Sequence, residues 1–246
     1  EVRPGARRRA RGEALVDVLI TGTSSGIGRA AALKFLDEGH RVWGLDCAES
    51  SIDSPSYQHF VCDVADEGSL PSGLAPQVVV SCAGVKGSPD DISVNLRGTI
   101  NVVEKYAFCG EASGEKRELA RTPSPRIRAV VNVGSASAHT GSEFPAYAAS
   151  KGGMVTYMKN VALRIAQYDA TSNSLSAGGV KTELNQHILD SPELMRQVLD
   201  ETLLRRWAEP EEIAEFCYFM TNVNRSMTGQ DILVDNGEQL KSNFIW

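Results

Sequence analysis

Residues 21–28 of the chain read Thr-Gly-Thr-Ser-Ser-Gly-Ile-Gly, and they directly follow the apolar run Leu15–Ile20. Glycines let a backbone turn tightly and come close to a pyrophosphate, while the N-terminus of a following helix offers free N–H groups and a positive dipole. The spacing, Gly-x3-Gly-x-Gly, differs from the usual G-x-G-x-x-G fingerprint. Its place between a strand and a helix still predicts a dinucleotide site, formed by Gly22, Ser24, Ser25, Gly26, Ile27 and Gly28.

Around this loop, short apolar runs alternate with longer segments of helical period, a pattern typical of βαβ units. Helices are predicted after the loop as far as Gly39, and over 92–108, 147–168 and 211–222. The sequence therefore predicts an α/β fold, a single doubly wound parallel sheet of Rossmann type with helices on both faces. The predicted strands are Leu15–Ile20, Arg41–Leu45, His59–Val64, Val78–Cys82, Ala129–Val133, Asn173–Ser176 and Ile232–Val234.

Length and composition are those of one globular domain, with 246 residues, 42% hydrophobic and 23% charged. We expect a single dinucleotide-binding catalytic domain over 14–246, preceded by a basic, disordered tail over 1–13. A net charge of −6 argues against nucleic-acid binding. No apolar run approaches the ~20 residues of a membrane span. The five cysteines are scattered without a C-x-x-C pair, which favours reduced thiols, a cytoplasmic location and no metal site.

The second predicted strand is followed by Asp46. An acidic side chain there can accept hydrogen bonds from the adenosine ribose hydroxyls and would repel the additional phosphate of NADP. Residues 21–28 contain no Lys or Arg that could compensate. We therefore expect NAD as the cofactor, although Asp46 also suits a turn or cap position.

Tyr147 and Lys151 stand at positions i and i+4 of a predicted helix and share one face. A nearby ammonium lowers the pKa of a phenol and so makes it a better base near neutral pH. Ser135 lies at the end of the preceding strand, where its hydroxyl can donate to a substrate oxygen. Together with a nucleotide loop, these groups suit proton and hydride transfer without a metal.

From about Leu15 to Gly237 the chain resembles the short-chain dehydrogenase/reductase family. The motifs occur in family order at strand ends. They are Thr21–Gly28, Cys62-Asp63-Val64, Cys82-Ala83-Gly84, Val94-Asn95, Ser135, Tyr147 with Lys151, and Gly178–Thr182.

The resemblance implies four catalytic residues. Tyr147 would be the general acid/base and Ser135 would polarise the carbonyl. Lys151 would hold the nicotinamide ribose and tune Tyr147, while Asn95 would keep a water in the proton relay.

The resemblance also implies further cofactor contacts and an assembly. Asp63 and Val64 would border the adenine, and the nicotinamide would meet Val180 and Thr182. Tyr147, Lys151 and the loop Cys82-Ala83-Gly84 would complete the cofactor site. Members of the family are commonly tetrameric, so a homo-oligomer, either tetramer or dimer, is expected.

Several positions depart from the family pattern. Cys82 replaces the first residue of Asn-Ala-Gly, and Ala177-Gly178 replaces Pro-Gly. The first change should remove an amide that ties the loop to the sheet, and the second should loosen the floor under the nicotinamide. The intervals from Asp63 to Cys82 and from Gly84 to Asn95 are short, as in compact carbonyl and hydroxysteroid dehydrogenases.

These features predict an NAD(H)-dependent oxidoreductase that interconverts a secondary alcohol and a ketone. The segment after Thr182 is apolar enough for a lid over a steroid-like or alicyclic substrate, although the same side chains could instead pack on the core. His139 and His187 could line the substrate mouth. The apolar residues in question are Leu184, Ile188, Leu189, Leu194, Met195, Val198 and Leu199.

Other functions remain open at this point. The chain could be a non-catalytic dinucleotide-binding or redox-sensing relative, a 3-oxoacyl thioester reductase, or a nucleotide-fold methyltransferase. The set Ser135, Tyr147 and Lys151 speaks against the first and the last, because neither has a chemical need for all three groups.

Overall fold

The computed structural model describes residues 15–109, 122–124, 126–142 and 144–240. Within them the main sheet has seven strands, and each neighbouring pair is parallel. These strands are β1 (Asp17–Thr21), β2 (Arg41–Asp46), β3 (Tyr57–Val61), β4 (Val78–Ser81), β7 (Ala129–Ser135), β8 (Thr171–Ala177) and β9 (Asp231–Val234). The two-residue strands β5 (Phe108–Cys109) and β6 (Thr122–Pro123) form a separate antiparallel pair.

The strand order in the main sheet is β3-β2-β1-β4-β7-β8-β9. The chain moves outward from β1 to β3 and then crosses to β4 on the other side of β1. Ligands of such sheets bind at this reversal, beyond the carboxyl ends of the strands. The glycine loop follows β1 at this point, as the sequence predicts.

Helices cover both faces of the sheet. The α-helices are α1 (Gly26–Asp37), α2 (Thr99–Tyr106), α3 (Ser137–Thr140), α4 (Pro145–Ile165), α5 (Gln186–Leu189), α6 (Pro192–Asp200) and α7 (Pro210–Tyr218). Phe35 of α1 and Ile213 of α7 belong to the core on one face. Val103 of α2 and Ile165 of α4 belong to the core on the other. The predicted doubly wound α/β fold is therefore confirmed.

The predicted helix over 92–108 is wrong in detail. A π-helical segment, Asp91–Gly98, precedes α2, and Phe108 lies in β5. Asn95 is fully buried within the π-helical segment, and its carbonyl oxygen accepts a hydrogen bond from the Thr99 hydroxyl at 2.7 Å. π-Helical segments often occur at functional sites, and apolar periodicity cannot distinguish them from a regular α-helix.

The connection between β3 and β4 is abbreviated, as its length indicates. It contains a single 3-10 turn, Glu67–Ser69, instead of a full helix. The basic segment 1–13 lies outside the described residues, so the division into a tail and one catalytic domain stays a prediction. Among the residues that the structure does describe, no helix combines the length and apolar character needed to cross a bilayer.

Candidate active site

The glycine loop leaves β1 in a conformation that depends on two glycines. Gly22 has φ +75°, and its N–H donates to the Leu45 carbonyl oxygen at 2.8 Å. A methyl group on Gly28 would lie 2.1 Å from the Gly22 carbonyl oxygen, a contact that backbone atoms cannot tolerate. The first turn of α1 thus packs directly against the end of β1, and its N-terminus faces the carboxyl end of the sheet.

Asp46, at the end of β2, holds this loop. Its carboxylate accepts hydrogen bonds from the Ser24 N–H and the Ala48 N–H, each at 3.0 Å. The Ser24 hydroxyl in turn donates to the Ala48 carbonyl oxygen at 3.0 Å. Asp46 therefore stabilises a turn, and it also lines the cavity beside the loop.

A cavity of about 620 Å³ opens beyond the ends of β1, β2 and β4. Its described lining includes four carboxylates, those of Asp46, Glu49, Asp63 and Glu183, and no Lys or Arg. Most of the predicted cofactor residues line it, namely Gly22, Ser24, Ser25, Gly26, Ile27, Gly28, Asp46, Asp63, Val64, Cys82, Ala83, Gly84 and Thr182. The cavity is thus shaped by backbone and small residues and has an acidic wall.

The loop after β4 is tied to the sheet by a hydroxyl group. Thr21 Oγ1 accepts hydrogen bonds from the N–H groups of both Cys82 and Ala83, each at 3.0 Å. This contact holds the loop at the position where the family's asparagine amide is missing. Burial raises the pKa of the Cys82 thiol well above its usual range, so the thiol is neutral and behaves as a small apolar group.

Ser135 and Tyr147 line a second cavity, of about 310 Å³, next to the first. Both side chains are nearly buried, with 8% and 7% of their surfaces exposed. The Ser135 hydroxyl lies 3.2 Å from the Ser137 hydroxyl and accepts a hydrogen bond from the Ser137 N–H at 3.2 Å. Helix α4 begins at Pro145, which places Tyr147 in its first turn, opposite the end of β7.

Lys151 lies one turn further along α4, as its i+4 spacing requires. Its Nζ donates to the Val133 carbonyl oxygen at 3.1 Å and lies 5.7 Å from the centroid of the Tyr147 ring. Burial of the amine lowers the pKa of Lys151 to about 8. At pH 7 the group is still mainly protonated, so a positive charge is held near the phenol.

Asn95 lies behind these groups in the π-helical segment. Its side chain forms three hydrogen bonds, accepting from the Val85 N–H at 2.8 Å and donating to the Val85 carbonyl at 2.9 Å and to the Ser150 hydroxyl at 3.1 Å. Ser150 donates to the Tyr147 carbonyl oxygen at 2.7 Å. Asn95 therefore fixes both the loop after β4 and the first turns of α4.

The segment after β8 separates the two cavities. Thr182 and Leu184 line both of them, and Val180 lines the smaller one. Gly179 packs against Trp207, because a methyl group on this glycine would lie 2.0 Å from the indole Nε1. Trp207 therefore packs against the backbone two residues beyond Ala177, the residue that replaces the family's proline.

Part of the predicted lid does not reach the smaller cavity. Leu184, Ile188 and Val198 line it, whereas Met195 is absent from its described lining. Met195 and Val198 are both half-buried on one face of α6, so periodicity alone does not show which of them reaches the cavity. His139 is also absent from the described lining, and its Nε2 contacts Asp231 Oδ2 at 2.5 Å.

Two residues of the site carry no sequence motif. Lys86 lines the smaller cavity, and its Nζ donates to Asn185 Oδ1 at 2.7 Å. Glu183 accepts a hydrogen bond from the Gly26 N–H at 3.0 Å. The two members of each contact are separated by 99 and 157 positions in the chain, so local patterns could not have found them.

Comparison with known proteins identifies relatives over most of the chain. A family model described as enoyl-(acyl carrier protein) reductase matches residues 89–239, and a model of the NAD dependent epimerase/dehydratase family matches residues 18–138. A short chain dehydrogenase of Penicillium roqueforti is 31% identical, with 69% of this chain and 71% of the relative covered. A (3R)-3-hydroxyacyl-CoA dehydrogenase of Canis lupus familiaris is 27% identical, with 89% and 94% covered.

Solved structures share the fold. A 4-hydroxyisoleucine dehydrogenase mutant complexed with NADH and succinate superposes with a TM-score of 0.79 at 23% identity, covering 92% of this chain and 100% of the other. A 3-oxoacyl-[acyl-carrier protein] reductase of Brucella melitensis with bound NAD gives 0.74 at 23% identity, with 96% of each chain covered. At this identity the likeness concerns the fold alone.

The buried amine of Lys151 should make the native protein less stable. Because folding lowers the pKa of Lys151 from 10.5 to about 8, the unfolded chain binds the extra proton between these values and stability rises with pH across that window. Below pH 8 the whole cost of burying the charge is present. Lys151→Met should therefore raise the free energy of unfolding at pH 7 by on the order of 2–3 kcal/mol, a gain that shrinks toward pH 10.5.

Urea denaturation at pH 7 and pH 10 measures this difference. Lys159→Met is the matched control, because Lys159 lies on α4 but is exposed, and it should change stability little. A Lys151→Met variant that is less stable than the wild type at pH 7 would contradict the assignment of a costly buried charge.

Proposed function

This chain belongs to the short-chain dehydrogenase/reductase family and is an oxidoreductase, and we propose that it uses NAD(H) to interconvert a secondary alcohol and a ketone. The observation that carries the proposal is that Ser135 and Tyr147 line the smaller cavity, next to the larger one that begins at the glycine loop, with the buried amine of Lys151 5.7 Å from the Tyr147 ring. Neither a binding module nor a methyltransferase has a use for these three groups together.

The residues of the larger cavity fit a dinucleotide. Backbone N–H groups at the start of α1 suit a pyrophosphate. Gly22 and Gly28 allow the close backbone packing that places these groups at the sheet edge, since a methyl group at either glycine would meet backbone atoms within 3.0 Å. Asp46 would accept hydrogen bonds from the ribose hydroxyls. Val180 and Thr182 would contact the nicotinamide end of the cofactor. When bound, the nicotinamide supplies or accepts the hydride.

The chain's own residues would carry out the proton transfer that accompanies hydride transfer. In the reducing direction Ser135 donates a hydrogen bond to the carbonyl oxygen, and the Tyr147 hydroxyl gives its proton to that oxygen as the alcohol forms. In the oxidising direction the same oxygen of Tyr147 accepts the proton from the hydroxyl group of the alcohol. The charge on Lys151 favours the phenolate, and Asn95 keeps Tyr147 and the neighbouring loop in place through Ser150 and Val85.

The choice of NAD over NADP rests on the charge of the larger cavity. Its four described carboxylates would repel a 2′-phosphate, and its described lining offers no Lys or Arg to receive one. The two solved structures named above carry NADH and NAD respectively, which supports the same class of cofactor.

We propose an apolar, fairly bulky ketone or alcohol as the substrate. Leu184, Ile188, Val198 and Trp207 contribute apolar surface to the smaller cavity, which Ser135 also lines. A 3-oxoacyl thioester reductase is the second candidate, favoured by the description of the matching family model and by the hydroxyacyl-CoA relative. A cytoplasmic location and a homo-oligomeric assembly stay predictions.

Removal of the Tyr147 hydroxyl tests the proposed acid/base. Tyr147→Phe keeps the ring and removes the proton, so turnover should fall by about 10²–10⁴-fold while NADH binding is retained. The measurement is NADH absorbance with a panel of alicyclic, steroid and 3-oxoacyl thioester substrates. Tyr168→Phe, just beyond the end of α4, is the control and should keep full activity. Near-normal rates in Tyr147→Phe would refute the role of Tyr147.

Neutralising Asp46 tests the cofactor preference. Asp46→Asn removes the charge and keeps an acceptor for one of the two loop N–H groups, so the ratio of kcat/KM for NADH over NADPH should fall by about tenfold. Asp37→Asn changes the same charge at the far end of α1 and should leave the ratio unchanged. A wild-type protein that turns over NADPH as well as NADH would contradict the preference.

Shortening one apolar side chain of the lid tests the substrate class. Ile188→Ala should raise KM for a bulky alicyclic ketone by about three- to tenfold with little change in NADH affinity, because it removes apolar surface from the smaller cavity. Met195→Ala is the control, since Met195 does not appear in the described lining of that cavity. Turnover of a small polyol in the absence of activity on any bulky ketone would overturn the substrate proposal alone.

A further inference from the structure

Glu183 joins the lid segment to the glycine loop. Its Oε2 accepts a hydrogen bond from the N–H of Gly26, the first residue of α1, at 3.0 Å. The first N–H groups of a helix have no acceptor within the helix, and they carry its positive dipole end. The carboxylate of Glu183 therefore occupies a donor that a bound anion would use.

The negative charge of the surrounding side chains adds to the effect of this contact on anion binding. The described lining of the larger cavity already contains Asp46, Glu49 and Asp63, with no Lys or Arg to offset them. A dinucleotide brings two further negative charges on its pyrophosphate to the same loop. Because the Gly26 N–H points at one acceptor at a time and like charges repel at short range, Glu183 and the pyrophosphate cannot both lie close to it.

We propose that Glu183 competes with the cofactor pyrophosphate for the start of α1, and thereby weakens dinucleotide binding and speeds its release. This inference rests on the proposed use of a dinucleotide. The Glu183 side chain is exposed, so it can leave the loop for water when the pyrophosphate enters. Neighbouring backbone stays anchored, because Lys181 N–H donates to the Ala208 carbonyl at 3.0 Å and Asn185 Nδ2 donates to the Val180 carbonyl at 2.9 Å.

A charge-neutral variant separates this competition from a structural role. Glu183→Gln removes the negative charge but keeps the size of the side chain. Glu193→Gln is the matched control, because Glu193 belongs to the same lid segment but pairs with Arg196 at 2.8 Å instead of contacting the loop. Thermal unfolding of both variants checks that the fold is retained.

A comparison of three ligands tests whether Glu183 affects binding of the pyrophosphate in particular. Isothermal titration with NADH, ADP and adenosine should show that Glu183→Gln binds NADH and ADP about three- to thirtyfold more tightly than the wild type. Adenosine, which lacks the pyrophosphate, should bind both proteins within twofold. The gain should shrink as salt rises from 0.02 to 0.5 M, since screening weakens the repulsion (Debye length roughly 10 Å at 0.1 M). Stopped-flow fluorescence should show slower release of NADH from the variant.

Several results would overturn the inference. If Glu183→Gln binds ADP within twofold of the wild type or more weakly, Glu183 does not compete with the pyrophosphate. An equal gain with adenosine, or an equal gain in Glu193→Gln, would also refute a local effect on the pyrophosphate. If neither protein binds NADH, the proposed function itself fails, which distinguishes that outcome from a wild type that binds NADH but is unaffected by the substitution.

Discussion

The close approach of two backbone segments at the end of β1 sets the geometry on which the rest of the site depends. Gly28 packs so tightly against the Gly22 carbonyl that no side chain fits between them. This contact places the N-terminus of α1 at the carboxyl edge of the sheet. A crevice lies there, because the chain crosses from one side of β1 to β4 on the other side. The ends of β2, β4, β7 and β8 then supply the side chains around a cavity whose position is already determined by α1 and β1.

The sequence predicts the parts of this structure that depend on periodicity and strand ends. Runs such as Val78–Cys82 are apolar because both faces of a central strand are covered, so their place in a parallel sheet can be inferred directly. The carboxyl ends of these strands lie at one edge of the sheet, which is why Asp46 and Ser135 could be assigned to that edge.

Other features could not be predicted, because they depend on contacts between distant parts of the chain. The double hydrogen bond to Thr21 Oγ1 forms only when β1 and β4 lie side by side. The π-helical segment around Asn95 has the apolar pattern of an ordinary helix, and its register is set by tertiary contacts such as those with Val85. Met195 and Val198 lie three positions apart on one face of α6, so a run of apolar residues does not show that Val198 lines the smaller cavity and Met195 does not.

The segment between β8 and α5 links ligand binding in the larger cavity to ligand binding in the smaller one. Thr182 and Leu184 belong to the wall of each, so a ligand that shifts this segment in one cavity changes the shape of the other. Binding free energies linked in this way are reciprocal: whatever factor the first ligand imposes on the affinity of the second, the second imposes on the first. Cooperativity between cofactor and substrate would then involve this short connection and Ile27 of α1, which also lines both cavities.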